Sequence, residues 1–535
     1  MNAVFSRVPA NPRICDLQTG FAILARLPLA DSEEAVLIVS RLLDGLIKAP
    51  PAAEVYLQLL EQTRISLCFI AEDLARRYTA RPLPLANLEE EAFRQVVANW
   101  RKAARAYAHC ARLLTPDTST AYAERVALIL HRCIHYTGMA IAEHQRARQE
   151  LPAGLWLDLH GYYASAEEWG VATFPVPDSL DSHGRSTHCT AEFVSLLLVE
   201  LASPRSLSLR QLTLVRRWAH EWAPLVGVHP LQGDADGPPL VIDLMHDSGA
   251  HSVSEAGSRE NLRRLDCSLL ATQIAQVRTR LQQKISPAQL GLGEDCTAAE
   301  CHHLLGRLHK PWGLLRMGRR FRRHGASGQS KVCYGFPGVH FHVSGREFSQ
   351  PGIARAYSRD EFESLYAFRH MVDPTQLLEV RQVQLGVKLD SWEVLDQCAN
   401  GFRLLRSSAG RKVETGQLIS ICPYDGSAHL LARVVWLMQE KDGALQAGVS
   451  ALPGKPQAVA VRTPQGEPGH TDEYSRAFLL PALPAICEEA TLVLPRGWYH
   501  SDRVLEVFVD GPCRVRLQRL VDEGADFERV SFIPA

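Results

Sequence analysis

The chain has 535 residues, 46% of them apolar and 22% charged, with a formal net charge of -1. That is the composition of ordinary globular domains, about two to four of them at this length. The charge balance excludes a protein that binds polyanions over its whole surface, so any basic function must be local.

Residues 1–31 show no clear period and contain several prolines, and they lack the basic, apolar, small-residue order of a signal peptide. Helices are expected from Ser32, which can cap the first. The clearest runs from Asn87 to Thr115, where Leu88, Ala92, Phe93, Val96, Val97, Trp100, Ala104, Tyr107, Ala111 and Leu114 form one apolar stripe. Asn87 can cap it with Glu90 reaching back, and Pro116 ends it. Similar stripes fit 34–48, 52–78, 120–148, 155–169, 189–203 and 208–224. Helices in series with short connections predict an all-α solenoid or bundle over 1–224. The most apolar run, Phe193–Ala202, is too short to cross a bilayer and holds Glu200.

Residues 227–258 are rich in Gly, Pro, Asp and Ser around one strand-like run, Pro239–His246. Helical spacing returns from Arg259 to Lys284 and from Thr297 to Leu308, so 225–310 is expected to be a β excursion plus helices. The stretch Arg307–His324 then holds seven Lys/Arg and no carboxylate. Beyond it strands dominate. Val332–Phe336 and Val339–Val343 read as a pair turning at Pro337-Gly338. A mixed stretch, 345–385, is expected to hold a short helix near 359–371. A meander follows at 392–395, 402–406, 417–421, 430–437 and 445–452, with turns at Asn400-Gly401, Asp425-Gly426 and Asp442-Gly443. Such strands close most economically into a small antiparallel barrel, over 311–460 with the 345–385 insertion. The tail, 461–535, carries further strands and is expected to extend or cap that barrel. The fold class is thus multidomain α + β.

Two features could carry chemistry in this half. Arg319 and Arg323 stand four apart with Arg320 and Arg322 between them, a segment able to aim several guanidiniums at one anion. Guanidinium donates two parallel hydrogen bonds to phosphate oxygens or to the guanine O6/N7 edge. Downstream, Asp396-Gln-Cys398-Ala-Asn-Gly401 joins two strands. Its carboxylate can accept from guanine N–H groups, and its glycine permits a tight turn.

R-R-F-R-R before a strand, then D-Q-C-A-N-G between strands, resembles the PilZ domain of bacterial cyclic di-GMP receptors. Ala432–Trp436 and Gly448-Val449 are similar to that family's closing strands. The resemblance covers about 316–460 and implies a six-stranded barrel that binds cyclic di-GMP. It implies Arg319 and Arg323 as arm arginines, Arg320 as an auxiliary guanidinium, and Asp396, Cys398 and Gly401 as the second motif. Cys398 replaces the family's serine, and a thiol is the weaker hydrogen-bonding group. About seventy residues separate the motifs, more than is usual in the family. Both departures favour the alternative of a PilZ-like fold that no longer binds nucleotide.

Other constellations are weaker. Cys296-x4-Cys301-His302-His303 has metal-ligand residue types but no second cysteine pair at zinc-finger spacing. His340-x-His342 would place two imidazoles on one strand face. Phosphate-cradling, nucleophile-elbow and zinc-protease motifs are absent, as are the signatures of enzymes that make or degrade cyclic di-GMP. Thirteen cysteines, an odd and scattered set, suggest a reduced, cytoplasmic protein. The expected function is therefore a non-enzymatic receptor without a cofactor. Cyclic di-GMP would bind the barrel, and the helical domain would engage a protein partner. Membrane insertion is not expected, and nucleic acid is an unlikely partner because aromatic platforms are few among the basic residues. The rival is an interaction scaffold with a ligand-free barrel.

Overall fold

A computed structural model describes residues 16–180, 184–231, 240–252, 259–313, 323–351, 388–467 and 469–535. The chain divides into two compact units, one formed by Met1–Arg81 and Leu85–Gly318, the other by Pro82–Pro84 and Arg319–Ala535.

The first unit opens with helices α1 (Leu17–Ala25), α2 (Ser32–Lys48), α3 (Ala53–Ala75), α4 (Asn87–Ala111), α5 (Thr120–Ala147) and α6 (Leu155–Glu168). A short hairpin, β1 (Val176–Pro177) and β2 (Ser186–Thr187), precedes α7 (Cys189–Leu201) and α8 (Leu209–Trp222). The apolar stripes become α2 to α8 nearly residue for residue, whereas α1, capped by Asp16, lies in the stretch expected to be irregular. Two caps differ by one position. Asp31, not Ser32, accepts from Glu33 N and Glu34 N, while Ser32 Oγ donates to Asp73. At α4 it is Glu89, not Glu90, that accepts from the backbone N of Ala86, at 2.7 Å. Helix α5 is buried from Val126 to Ala147 on almost every side. Gly138 makes this close packing feasible, since a Cβ there would lie 2.4 Å from Leu196 Cδ1.

This unit also buries charge. Arg64 and Arg132, each 1% exposed, share the carboxylates of Glu61 and Asp178. Arg132 donates to Glu61 at 3.0 and 3.2 Å and to the Pro177 carbonyl at 3.0 Å, fixing the β1 hairpin to the helices. Two guanidiniums in one apolar layer are tolerable only because both carboxylates and several hydrogen bonds complete them.

The β excursion is a four-stranded sheet of β3 (Gly227–Pro230), β4 (Leu240–Asp243), β5 (His251–Ser252) and β6 (Leu262–Asp266), ordered β3-β6-β4-β5. Only Arg259–Asn261 forms a short helical turn, and Leu262–Asp266 is a strand: Leu262 and Leu265 have helical spacing, but β6 pairs with both β3 and β4. Helix α9 (Ser268–Gln282) begins only after it, and α10 (Ala298–Leu308) follows. Trp312, buried beyond α10, donates to the Leu198 carbonyl at 2.7 Å.

In the second unit, β7 (His324–Gly325) and β8 (Gln329–Tyr334) lead to α11 (Phe336–Ser344), then β9 (Asp390–Cys398), β10 (Gly401–Arg406), β11 (Leu418–Cys422), β12 (Leu430–Gln439) and β13 (Leu445–Ala451). The order β10-β13-β12-β11-β8-β9, with β9 also paired to β10, closes six strands into a ring, and β7 adds to β9. The expected strand at 339–343 is instead the helix α11. Gly335 has φ +76°, Pro337 lies in the first turn and Gly345 ends the helix at φ +68°, a proline-in, glycine-out signature that overrides the alternating V-H-F-H-V. The helix expected at 359–371 lies outside the described residues.

The tail does not cap this ring. Strands β14 (Gln457–Arg462), β15 (Ser475–Leu480), β16 (Thr491–Pro495), β17 (Val504–Phe508), β18 (Pro512–Glu523) and β19 (Phe527–Pro534) form a second, closed barrel ordered β14-β15-β16-β19-β18-β17. Its core is Val459, Val461, Ala477, Leu492, Leu494, Leu505, Val507, Val515, Leu517 and Val530. Inward positions alternate with outward ones along the strands, as closure of a small barrel requires, and the outward Phe478, Leu480 and Val493 are themselves buried. The two barrels share a further core. Val339 of α11 packs with Leu418, Leu431 and Leu452 on one side and Phe478, Leu480, Val493 and Phe527 on the other. Asp526 accepts from the backbone N of Leu418 at 2.8 Å, and Ala525 N donates to the Gly416 carbonyl at 2.8 Å.

Among the described residues, no helix is long and apolar enough to cross a membrane.

Candidate functional site

The second sequence motif lies on the β9–β10 hairpin. Cys398 and Gly401 are the closing pair of a two-residue turn through Ala399 and Asn400. Gly401 is required by space: a Cβ there would stand 2.6 Å from the Val449 carbonyl oxygen, a backbone atom of β13 that cannot step aside. The Cys398 thiol lies 3.4 Å from Asn400 Oδ1 and donates within the turn.

Strand β7 brings the arm to this hairpin. His324 pairs with Gln397 and Gly325 with Asp396, where β8 no longer covers β9. Pairing sets the residue before β7 beside the motif, and Arg323 Nη1 lies 2.5 Å from Asp396 Oδ1. Both side chains are about a quarter exposed or less (24% and 20%). Of the expected residues, Arg323, Asp396, Cys398 and Gly401 thus lie together. Arg319 and Arg320 lie outside the described residues.

Counting from the turn finds two more groups. Asp396 stands directly opposite Arg403 on β10, Arg403 opposite Gly448 on β13, and Gly448 opposite Trp436 on β12. Directly opposed residues share a face, so one row crosses four strands on the half-exposed side. Arg403 Nη1 lies 4.0 Å from Asp396 Oδ2 and is held by Gln446 Oε1 at 2.8 and 3.2 Å. The Trp436 indole folds over Gly448, where a Cβ would be only 1.9 Å from its Nε1. Two guanidiniums, one carboxylate and a half-exposed indole therefore line one face, with net positive charge. Arg403 and Trp436 were not singled out from the sequence as site residues, although the two-residue turn alone aligns Arg403 with Asp396.

The remaining candidates dissolve. His340 and His342 lie on α11 rather than a strand. His340 Nε2 donates to the Val459 carbonyl (3.3 Å), and burial pushes its pKa down to about 4. His342 stacks on His429 at 5.1 Å. Among the described residues no group of three His, Cys, Asp or Glu is placed to hold a metal.

Three family models match in order along the chain. The N-terminal domain of the cyclic-di-GMP receptor FimW matches residues 21–232, its middle PilZ domain 236–371, and its C-terminal β-barrel domain 459–534. The cyclic-di-GMP receptor FimW of Pseudomonas aeruginosa is 23% identical, over 91% of this chain and 85% of its own length. The PilZ match includes the arm, β8 and α11, and stops before β9. The PilZ domain is consequently in the middle of the chain rather than at its C-terminal end, and the tail barrel is a domain of its own. The chain is a FimW-like protein of the cyclic-di-GMP receptor family, with an N-terminal helical region, a middle PilZ domain and a separate C-terminal barrel domain.

Proposed function

We propose that this chain is a non-enzymatic receptor for cyclic di-GMP, bound at the hairpin face built around Asp396. The observation that carries the reading is the meeting of Arg323 and Asp396, 73 residues apart in sequence and brought side by side by the β7–β9 pairing. The ligand offers two anionic phosphodiesters and two guanines. Arg319, Arg320 and Arg323 supply bidentate donors for the phosphates and guanine edges, while Asp396 accepts from guanine N1–H and N2–H. Arg403 adds a cation beside Asp396, and the Trp436 indole offers a face for a purine to stack on. Gly401 allows close approach of the ligand to the turn, and Cys398 adds a weak thiol contact. No covalent step is needed, so no catalytic residue or cofactor is invoked. Engagement of the arm by the ligand would be relayed to the helical region that precedes it in the chain, which would bind a protein partner.

Arg323 and Asp396 neutralise one another without ligand, so binding exchanges one ion pair for two charge-assisted contacts. The second reading, a protein-interaction scaffold with a barrel that no longer binds, draws on Cys398, whose thiol is already satisfied by Asn400. Isothermal calorimetry with cyclic di-GMP separates the two. The receptor reading predicts saturable heat from the wild type and its loss in Arg319→Ala/Arg323→Ala. A wild type without heat leaves the scaffold.

A further inference from the structure

The segment between α9 and α10 returns to α8 through a polar clasp. Arg217 of α8 donates to Asp295 at 2.5 and 3.0 Å and to the Leu292 carbonyl at 3.4 Å. Arg210 reaches the Asp295 carbonyl at 2.8 Å and Glu300 at 3.2 Å. The buried Trp218 indole donates to the Leu292 carbonyl at 3.1 Å. Within this clasp two thiols meet. Cys296 precedes the capping residue Thr297, and Cys301 sits one turn into α10. Their sulfurs are 2.9 Å apart, less than 1 Å longer than a disulfide bond of ~2.05 Å.

We infer that Cys296 and Cys301 form a reversible dithiol–disulfide site, oxidised by hydroperoxides. The two thiols differ in a way that assigns their roles. Cys296 is half-buried and reachable, whereas Cys301 is wholly buried. Cys296 directly follows Asp295, the residue that Arg217 grips, so the clasp holds its sulfur against that of Cys301. The Cys296 thiolate attacks one oxygen of the hydroperoxide, ROOH. An S–O bond forms, the O–O bond breaks, and ROH leaves with a proton. The Cys301 sulfur then attacks the Cys296 sulfenic acid. The S–S bond forms, the S–O bond breaks, and water leaves with the thiol proton. Two thiols and ROOH become a disulfide, ROH and water. No large movement is demanded, because the sulfurs already touch. The disulfide would tie the clasp covalently to the start of α10, and a thiol reductant would release it.

Both cysteines fall in one tryptic peptide, Ile285–Arg307, which has no internal Lys or Arg. The full chain is treated with hydrogen peroxide, alkylated and digested, with the exposed Cys487 and Cys513 as internal controls. The expected result is an unalkylated peptide lighter by two hydrogens, converted by dithiothreitol into one carrying two alkyl groups. Cys296→Ser should abolish the loss of mass and leave Cys301 reduced and alkylatable after unfolding. Cys301→Ser should trap a dimedone-reactive sulfenic acid at Cys296. Because Cys301 is buried and its variant can misfold, the wild-type peptide is the deciding measurement. Two alkylated cysteines in the wild-type peptide after Cys487 and Cys513 have oxidised would overturn the inference, as would overoxidation of Cys296 with Cys301 still reduced.

Discussion

Asp396→Ala tests how the candidate face divides its electrostatic work. The carboxylate is 20% exposed and holds Arg323 at 2.5 Å, with Arg403 Nη1 4.0 Å away. In a guanine complex it accepts charge-assisted N–H bonds, worth about 1.5–3 kcal/mol. Its removal also releases Arg323 from an ion pair that is partly solvated, a pair worth about 0.2–1 kcal/mol, so binding no longer has to break that contact. The difference, about 1–2 kcal/mol, corresponds to roughly 5- to 30-fold weaker binding. Arg323→Ala lacks this compensation, because it loses the phosphate contact and strands Asp396 near the anion. It should weaken binding by roughly 10- to 100-fold for a lost bond of about 1.5–3 kcal/mol. Titration calorimetry on the wild type and both variants measures this order, and thermal unfolding checks that both are folded. Binding by Asp396→Ala at or above wild-type affinity, with Arg323→Ala unaffected, would refute the reasoning.

Gly401→Ala should lower stability by about 1–3 kcal/mol in urea unfolding and abolish ligand binding, since its Cβ has only the Val449 carbonyl to displace. Asp526 is held up to about 6 mainly by burial, so the folded state retains its proton where the unfolded chain has lost it. Its contribution is present below the unfolded pKa near 4 and lost as pH rises through about 6. Asp526→Asn should accordingly gain stability relative to wild type at pH 7, the gap closing below about pH 4 as read from paired melts. Glu61→Ala leaves Arg132 with little carboxylate support in a buried layer. It should destabilise the helical region by about 3–5 kcal/mol, measured by the loss of helical circular dichroism on heating.

The helices from α2 onward in the first unit were legible because their apolar residues recur at helical spacing, and Pro152, Pro204 and Pro224 punctuate them. The meander was legible from alternation and glycine turns. Three segments were not. Leu262–Asp266 has two leucines three apart, and only pairing with β3 and β4 makes it a strand. Val339–Val343 alternates like a strand, while the decisive signals are Gly335, Pro337 and Gly345 at its borders. The tail's closure depends on which strands meet, which no local pattern states: β14 pairs with β17 across two intervening strands. At the candidate site, Asp396 and Gly401 announce themselves as a turn. Arg403 follows from counting back along that turn, Trp436 emerges only from the pairing of β12 with β13, and the cluster of Glu61, Arg64, Arg132 and Asp178 only from tertiary packing.

The most direct measurement is calorimetric titration of the full chain with cyclic di-GMP at micromolar protein and moderate salt, with GMP as the control nucleotide. Receptor function at the Asp396 face predicts saturable heat for cyclic di-GMP alone, weakened in Asp396→Ala and lost in Arg319→Ala/Arg323→Ala. A folded wild type that returns no heat, or binding that survives in all the variants, would contradict it.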